Sequence, residues 1–411
     1  MMDPMARICL VSCVSLKSDK PTKAADLYTS PWFVKARQFA SMHFDRWYIL
    51  SAEYGLVNPG SVVAPYEKTL CKMTRDEKSA WAARVFCRLE DSTRPSDEIT
   101  ILAGTHYRQY LLPLLRKRGN TVHVPMEGLG IGRQLSWLSR QNQASSVRAD
   151  LDRFYDILGD LEEALGGKRI LAECNGRMDW PERGVYFFFE EGECRRDKPE
   201  QPRVVRVGTH MVSRGSRSTF WHRLHTHRGT EDGRGNHRGS IFRLHIGNAL
   251  MSRANGDIDV PTWGQGQSAS ATIRKRERAL EKKVSEYIGR MSFLWLNVPD
   301  SAGPDSDRAY IERNSIGLLS RGSGPLDAPS TNWLGLFSSN EAIRASGLWN
   351  VDHVEHRHDR RFLDILAIYA DAARGKRSLP EESIAPGGWH VAGRWGNTRG
   401  QMVLFDEGGN E

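Results

Sequence analysis

The sequence lacks the features that would put it in a membrane, outside the cell or on zinc. No apolar run approaches the roughly 20 residues needed to span a bilayer, and the start, MMDPMARICLVSC, has no long apolar region of the secretory type. The six cysteines (Cys9, Cys13, Cys71, Cys87, Cys174, Cys194) form no CxxC pair, which argues against both a zinc knuckle and a disulfide scaffold. No repeat is visible. The expectation is a soluble, cytoplasmic protein without a membrane partner. One shortage is local: between Glu193 and Glu231 the only carboxylates are Asp197 and Glu200.

What fills that stretch is cationic. Six of the thirteen histidines (His210, His222, His225, His227, His237, His245) fall between Gly184 and Gly247, among many arginines. Guanidinium forks with imidazoles suit a phosphodiester. Over the whole chain the net charge is +8, which favours a polyanion without choosing between nucleic acid and an anionic membrane surface. At 411 residues, 39% of them hydrophobic, the chain can form two or three domains with their own cores.

The first part alternates strands and helices. Strands are expected at Arg7 to Cys13, Trp47 to Ser51, Glu98 to Ala103 and Thr121 to Val124, with helices at Pro31 to Met42, near Thr74 to Leu89 and at Tyr107 to Lys117. Such alternation predicts a three-layer α/β domain with a mostly parallel sheet. Ligands in such sheets bind beyond the carboxyl ends of the strands, where Ser12, Cys13, Ser15 and Lys17, the segment LSAEYGLVNPGSVVAPYEKTL and the segment AGTHYR fall. Read blandly, Gly55, Pro59, Gly60 and Pro65 are turn residues and Glu53, Tyr54 and Tyr66 surface positions. Helices at Gly132 to Gln141 and Ser145 to Leu165 close this domain, with GGKR at 166–169 as a hinge, giving domains 1–166 and 167–411.

In the second part, Val185 to Phe189 and Val204 to Val207 read as a β-hairpin. A helix follows in which Trp221, Arg223, Leu224 and His227 make one apolar and one polar face, with Arg223 and His227 one turn apart. Residues 229–247 read as a flexible loop feeding a strand, with Arg234, His237 and Arg238 able to reach nucleic acid. Residues 252–270 read as a long loop, Arg274, Lys275 and Arg276 as part of a basic helix face, MSFLWLNV at 291–298 as a core strand, Ala345 to Ala373 as containing a helix, and WHVAG and MVLF near the end as strands. Each residue also has a plainer role: Tyr186 as a strand aromatic, Arg223 and His227 as a solvated helix face, Glu312 and Arg313 as a surface ion pair.

Two resemblances narrow these readings. VSCVSLK at 11–17, LYTSPWFVKAR at 27–37 and the segment at 50–70 resemble the YaaA-type peroxide-stress proteins and a related uncharacterised bacterial domain family, over roughly the first 140 residues. That resemblance implies a DNA-associated α/β domain akin to nucleobase-handling folds, with Ser12, Lys17, Glu53, Tyr54, Tyr66 and His106 as its candidate site; a flipped base would stack on tyrosine there. GVY at 184–186, RVG at 206–208 and Arg223 with His227 resemble the GIY-YIG nucleases, particularly the restriction-endonuclease members, over about residues 170–350. This implies an α+β nuclease domain with a small antiparallel sheet flanked by helices, hydrolysing DNA with Mg2+ or Mn2+. Glu312 in DRAYIERNSIGLLS would be the metal ligand, ahead of Glu277 and Glu281, and Asn332 the late asparagine.

One departure stands out: Arg206 occupies the position of the family's second tyrosine, so that role passes to Arg206, His210 or another residue, or is lost. A hard divalent ion needs a carboxylate, the phosphate needs a permanent cation such as Arg223, and the water needs a base, for which Tyr186 and His227 are paired candidates. The expected partner is DNA, base-modified DNA included, with a homodimer left open; the expected role is restriction of foreign or modified DNA. A glycosylase coupled to strand cleavage and a non-catalytic nucleic-acid-binding stress or regulatory protein are the alternatives.

Overall fold

The computed structural model describes residues 5–210, 219–230, 232–301, 303, 305–320 and 324–386. By its internal contacts the chain divides into two units, residues 1–147 and 148–411.

The first unit is built on strands Arg7–Ser12 (β1), Arg46–Ser51 (β2), Gly55–Val57 (β3), Glu98–Leu102 (β4) and Thr121–His123 (β5), in the order β3-β2-β1-β4-β5. β1 runs parallel to β2 and β4, and β4 parallel to β5, while β3 returns antiparallel on β2. The central strand is the apolar run Ile8 to Val11, wholly buried, as a parallel strand covered on both faces requires. Helices Pro31–His43 (α1) and Arg75–Ser92 (α2) start where their caps lie. Ser30 accepts from the Phe33 N–H at 3.2 Å with Pro31 at the first position, and Thr74 with Glu77 forms a capping box. Leu111–Arg118 (α3) ends at Gly119, whose φ of 105° terminates it.

The two helices expected after residue 131 are one, Ile131–Leu165 (α4). Ser145 looks like a cap in the sequence, but its hydroxyl bonds His43 at 2.6 Å, and the Asn142 amide donates to the Lys35 carbonyl at 3.0 Å. Polar residues that would end a helix are used for packing, and no Pro or Gly interrupts the run between them. The helix stops at Gly166 and Gly167, with φ of 68° and 105°.

The second unit contains the four-stranded antiparallel sheet Arg169–Ile170 (β6), Gly184–Cys194 (β7), Pro202–Thr209 (β8) and Ser292–Asn297 (β9), ordered β8-β7-β9-β6. Around it lie Phe220–Arg228 (α5), Ile241–Arg253 (α6), Ala271–Gly289 (α7), Asp307–Ser320 (α8) and Phe362–Ala373 (α9). β7 is apolar on consecutive residues because both of its faces are covered. Tyr186 and Phe188 face a core with Phe220, Phe242 and Leu280, whereas Phe187 meets Phe154 of α4 at 5.8 Å. β8 is an edge strand whose outer polar groups are taken up by the chain near residue 350. Val205 O accepts from the Trp349 N–H at 2.8 Å, and the Asn350 amide both accepts from Val207 N–H at 3.0 Å and donates to Val207 O at 2.8 Å.

The strand expected within 240–247 is instead the start of α6. Ser240 caps it by accepting from Arg243 N–H at 3.3 Å, and Phe242, Ile246 and Ala249 form a buried stripe of helical period that short-range alternation had mimicked. The segments WHVAG and MVLF lie outside the described residues.

Candidate active site

The β7/β8 pairing sets the site. Gly208 stands opposite Tyr186 and Arg206 opposite Phe188, so Arg206 and Tyr186 project to the same face of the sheet. A Cβ at Gly208 would overlap the hydroxyl end of the Tyr186 ring, and one at Gly184 would overlap the Leu296 carbonyl. Gly208 is the space in which the tyrosine lies across the sheet, and Gly184 lets β7 close on Leu296 and Phe220. Thr209 Oγ1 donates to the Gly184 carbonyl at 2.8 Å and ties the two ends together.

Tyr186 is fully buried, and its hydroxyl lies 2.9 Å from His227 Nε2 on α5. The other ring nitrogen of His227 lies 2.8 Å from Ser240 Oγ. His227 therefore stands on a buried face, not the solvated one its helix pattern suggests. Burial first, then the neighbouring Arg223, Arg206 and Arg243, push its pKa well below the ordinary histidine value, so the ring is neutral at physiological pH.

Arg206 is also buried. Its guanidinium lies over the Phe242 ring at 4.6 Å and donates to the Trp349 carbonyl at 2.8 Å. Burial pushes its pKa down, with Arg223 acting in the same sense and Tyr186 and Glu312 opposing. Glu312 of α8 thus joins the group across the sequence gap that separated it. It is half-buried, and burial pushes its pKa up to about 7 against the pull of Arg206, Arg223 and the Thr209 backbone, with Asp352 adding to the rise. The buried Nε atoms of Arg206 and Arg223 have no hydrogen-bond partner among the described residues. Donors left in that condition at a cluster with one shared carboxylate fit an incoming anion.

Other expected residues sit elsewhere. His210 Nε2 is 3.1 Å from the Glu182 carbonyl, and burial, then Arg308, Arg223 and Arg183, lower its pKa to about 4. His237 and Arg238 are buried and do not reach out to nucleic acid. The His237 ring stacks on Trp263 at 3.8 Å, accepts from Gly264 N–H at Nε2 and is bound through Nδ1 to Glu281 at 2.9 Å. Arg238 donates to both oxygens of Glu277 at 2.6 and 2.8 Å, and Arg243 to Glu281 at 3.0 Å. These two glutamates, rivals of Glu312 in the sequence, are thereby committed to buried ion pairs that lower their pKa. Arg274, Lys275 and Arg276 are exposed on α7, as a basic face requires. Asn332 is exposed; the asparagine bonded to β8 is Asn350, which only the folded edge of the sheet could single out.

The first unit gathers a different set at the carboxyl ends of β1, β2 and β4. Cys13 Sγ and Tyr107 Oη are 2.9 Å apart across the point where the strand order reverses. Ser51 Oγ donates to Tyr66 Oη at 2.8 Å, and Tyr66 Oη is 2.9 Å from Tyr28 Oη. Lys17 Nζ lies 4.5 Å from the centre of the Tyr66 ring, and Tyr54 meets that ring edge-on at 5.4 Å. Burial pushes the Tyr28 pKa up to about 12 and those of Tyr66 and Tyr107 higher still, so all three stay neutral phenols. Of the expected residues, Lys17, Tyr54 and Tyr66 meet here. Ser12 is buried at the end of β1, while Glu53 pairs with Lys68 at 3.2 Å and His106 is exposed. The sequence did not single out Tyr28, Ser51 and Tyr107 as site residues, because their partners are distant in the chain.

On this small antiparallel sheet a tyrosine lies over a glycine of the paired strand, with one arginine from β8, one from α5 and a carboxylate from α8 acting on the same group. Residues 145–375 match the family described as GIY-YIG domain, and the chain belongs to that family of endonucleases. Residues 8–140 match a family of unknown function (DUF6884). The uncharacterized protein YfjM of Bacillus subtilis (strain 168) is 30% identical over 152 residues, which are 33% of this chain and 95% of that protein. No solved structure matches. No helix among the described residues is long and apolar enough to cross a membrane.

Proposed function

We propose that the second unit hydrolyses phosphodiester bonds in DNA and that the first unit presents the DNA to it by engaging a base. The observation that carries this reading is the convergence of Tyr186, Arg206, Arg223, His227 and Glu312 from β7, β8, α5 and α8. Tyr186 is the base in its phenolate form: with its hydroxyl proton already released to solvent, its oxygen takes the proton of the attacking water, because the neutral His227 is a poor proton acceptor in this surrounding. Arg223 and Arg206 hold the phosphate as negative charge grows, through donors not used elsewhere. Arg206 thus serves where relatives of this family carry a second tyrosine.

Glu312 is the residue that would hold a magnesium or manganese ion. Its raised pKa is that of a desolvated carboxylate still short of positive charge. No three His, Cys, Asp or Glu side chains among the described residues form a preformed cage, which suits a hard ion held by one carboxylate, waters and phosphate oxygens. Bound there, the ion would offset charge on the scissile phosphate and leaving oxygen. The exposed Arg274, Lys275 and Arg276 would follow the DNA backbone.

For the first unit, Lys17, Tyr54 and Tyr66 at the carboxyl edge of a parallel sheet support engagement of an unstacked, modified base. The biological role that follows is restriction of foreign or modified DNA. Incubating the full chain with Mg2+ or Mn2+ and a panel of plain and base-modified plasmids tests both halves. Nicking stronger on one modification is the expected outcome; binding without any cleavage across the panel would leave a nucleic-acid-binding protein instead.

A further inference from the structure

His227 lies between two hydroxyls. Nε2 faces Tyr186 Oη at 2.9 Å and Nδ1 faces Ser240 Oγ at 2.8 Å, with the ring and Ser240 both buried. A neutral imidazole donates at one nitrogen and accepts at the other, so the two contacts must run in opposite senses. The groups acting on the ring are Tyr186 from β7, Arg206 from β8, Arg223 from its own helix and Arg243 from α6; the charged ones are all cations, and they disfavour an imidazolium.

Ser240 decides the sense. Its oxygen already accepts from the Arg243 backbone N–H as the cap of α6, and Arg243 is locked in turn to Glu281 at 3.0 Å and to the His227 carbonyl at 2.9 Å. The hydroxyl proton needs an acceptor, and the one the structure gives it is Nδ1 of His227. A buried hydroxyl proton directed at nothing is destabilising, so this contact fixes its direction.

We propose that Ser240 is a positioning residue of the cleavage site: it donates to His227 Nδ1, keeps the ring proton on Nε2, and so makes His227 a hydrogen-bond donor to the Tyr186 oxygen. This rests on the reading of Tyr186 as the base. The Tyr186 hydroxyl proton leaves to solvent before the step, His227 keeps its own proton throughout, and the water's proton ends on the Tyr186 phenolate oxygen. A donor at Nε2 stabilises negative charge on that oxygen before the proton arrives. Neither the motif residues nor the family match assigns Ser240 a part; it lies thirteen residues beyond His227.

Histidine-selective 15N NMR on the full chain reads the tautomer without turnover. The expected result is a His227 ring protonated at Nε2 and bare at Nδ1, kept in Ser240→Thr. A ring protonated at Nδ1, or at both nitrogens near pH 7, overturns the proposal. In cleavage assays Ser240→Ala should move the rising limb of the kcat–pH profile upward by about one unit with KM held, and Ser240→Thr should restore it. An unshifted profile in a folded Ser240→Ala protein also overturns it. Tyr186→Phe separates the layers: if that variant still cuts while the Nε2–H tautomer is found, the base reading fails and the Ser240 contact stands.

Discussion

The carboxyl edge of the first unit's sheet and the β7/β8 site of the second are both organised by buried tyrosines, but their surroundings differ in charge. Around Tyr66 the partners are hydroxyls, a thiol and one ammonium lying over a ring, and the phenols are held neutral. Around Tyr186 the partners are a neutral imidazole and two arginines, with a desolvated carboxylate acting on the same arginines. The first arrangement can recognise a neutral surface such as a base through hydrogen bonds and stacking. The second is short of an anion and a cation together, which is the demand of metal-assisted phosphate chemistry. Burial is common to the two tyrosines; what separates them is the number and kind of charges around them, one ammonium over the Tyr66 ring against two arginines and a carboxylate near Tyr186.

The comparison can be broken most severely at Tyr186. Tyr186→Phe should lower single-turnover cleavage by about 10²–10⁴-fold with DNA binding kept, measured by nicking and by electrophoretic shift; a near wild-type rate would make the two tyrosine sites alike. Arg223→Ala should cost about 10²–10³-fold in kcat, since it removes a charge aimed at the phosphate. Gly208→Ala tests the geometry: the new Cβ must displace the Tyr186 ring, so unfolding in urea should show a loss of about 1–3 kcal/mol together with lost cleavage.

A smaller effect concerns pH. His210 and His245 are both lowered to about 4 by burial, while an unfolded histidine titrates near 6.5. Between these values the unfolded chain binds more protons, so stability falls as pH drops through that window, by roughly 2 kcal/mol per histidine at pH 5. Denaturant midpoints from pH 7 to 5 check this, and His245→Gln should flatten the slope. Smallest is the first unit: Lys17→Ala or Tyr66→Phe should weaken affinity for base-modified DNA severalfold, as loss of one stacking or cation–π partner does.

Much of the architecture was legible because local signals agreed with it. Ser30-Pro31 and Thr74 with Glu77 mark helix starts, and alternation of strands with helices marks the parallel sheet. Motif order in the sequence brings together Tyr186, Gly208 and His227, which the fold places in contact. What failed to show was long-range. Ser145 and Asn142 resemble helix stops until their partners in α1 are known. His237 and Arg238 resemble a DNA-reaching loop until Glu281 and Glu277 are seen to hold them inside. Asn350 and Ser240 carry no local pattern, because one serves a sheet edge and the other a ring thirteen residues back.

Glu312 is proposed to complete the Tyr186 site as its metal-holding carboxylate. Single-turnover nicking of plasmid DNA over a Mg2+ and Mn2+ titration, wild type against Glu312→Gln, tests it most directly. Metal-dependent cleavage should fall by at least about 10²-fold in the variant while DNA binding persists; equal rates for the two proteins at every metal concentration would show that Glu312 holds no catalytic metal.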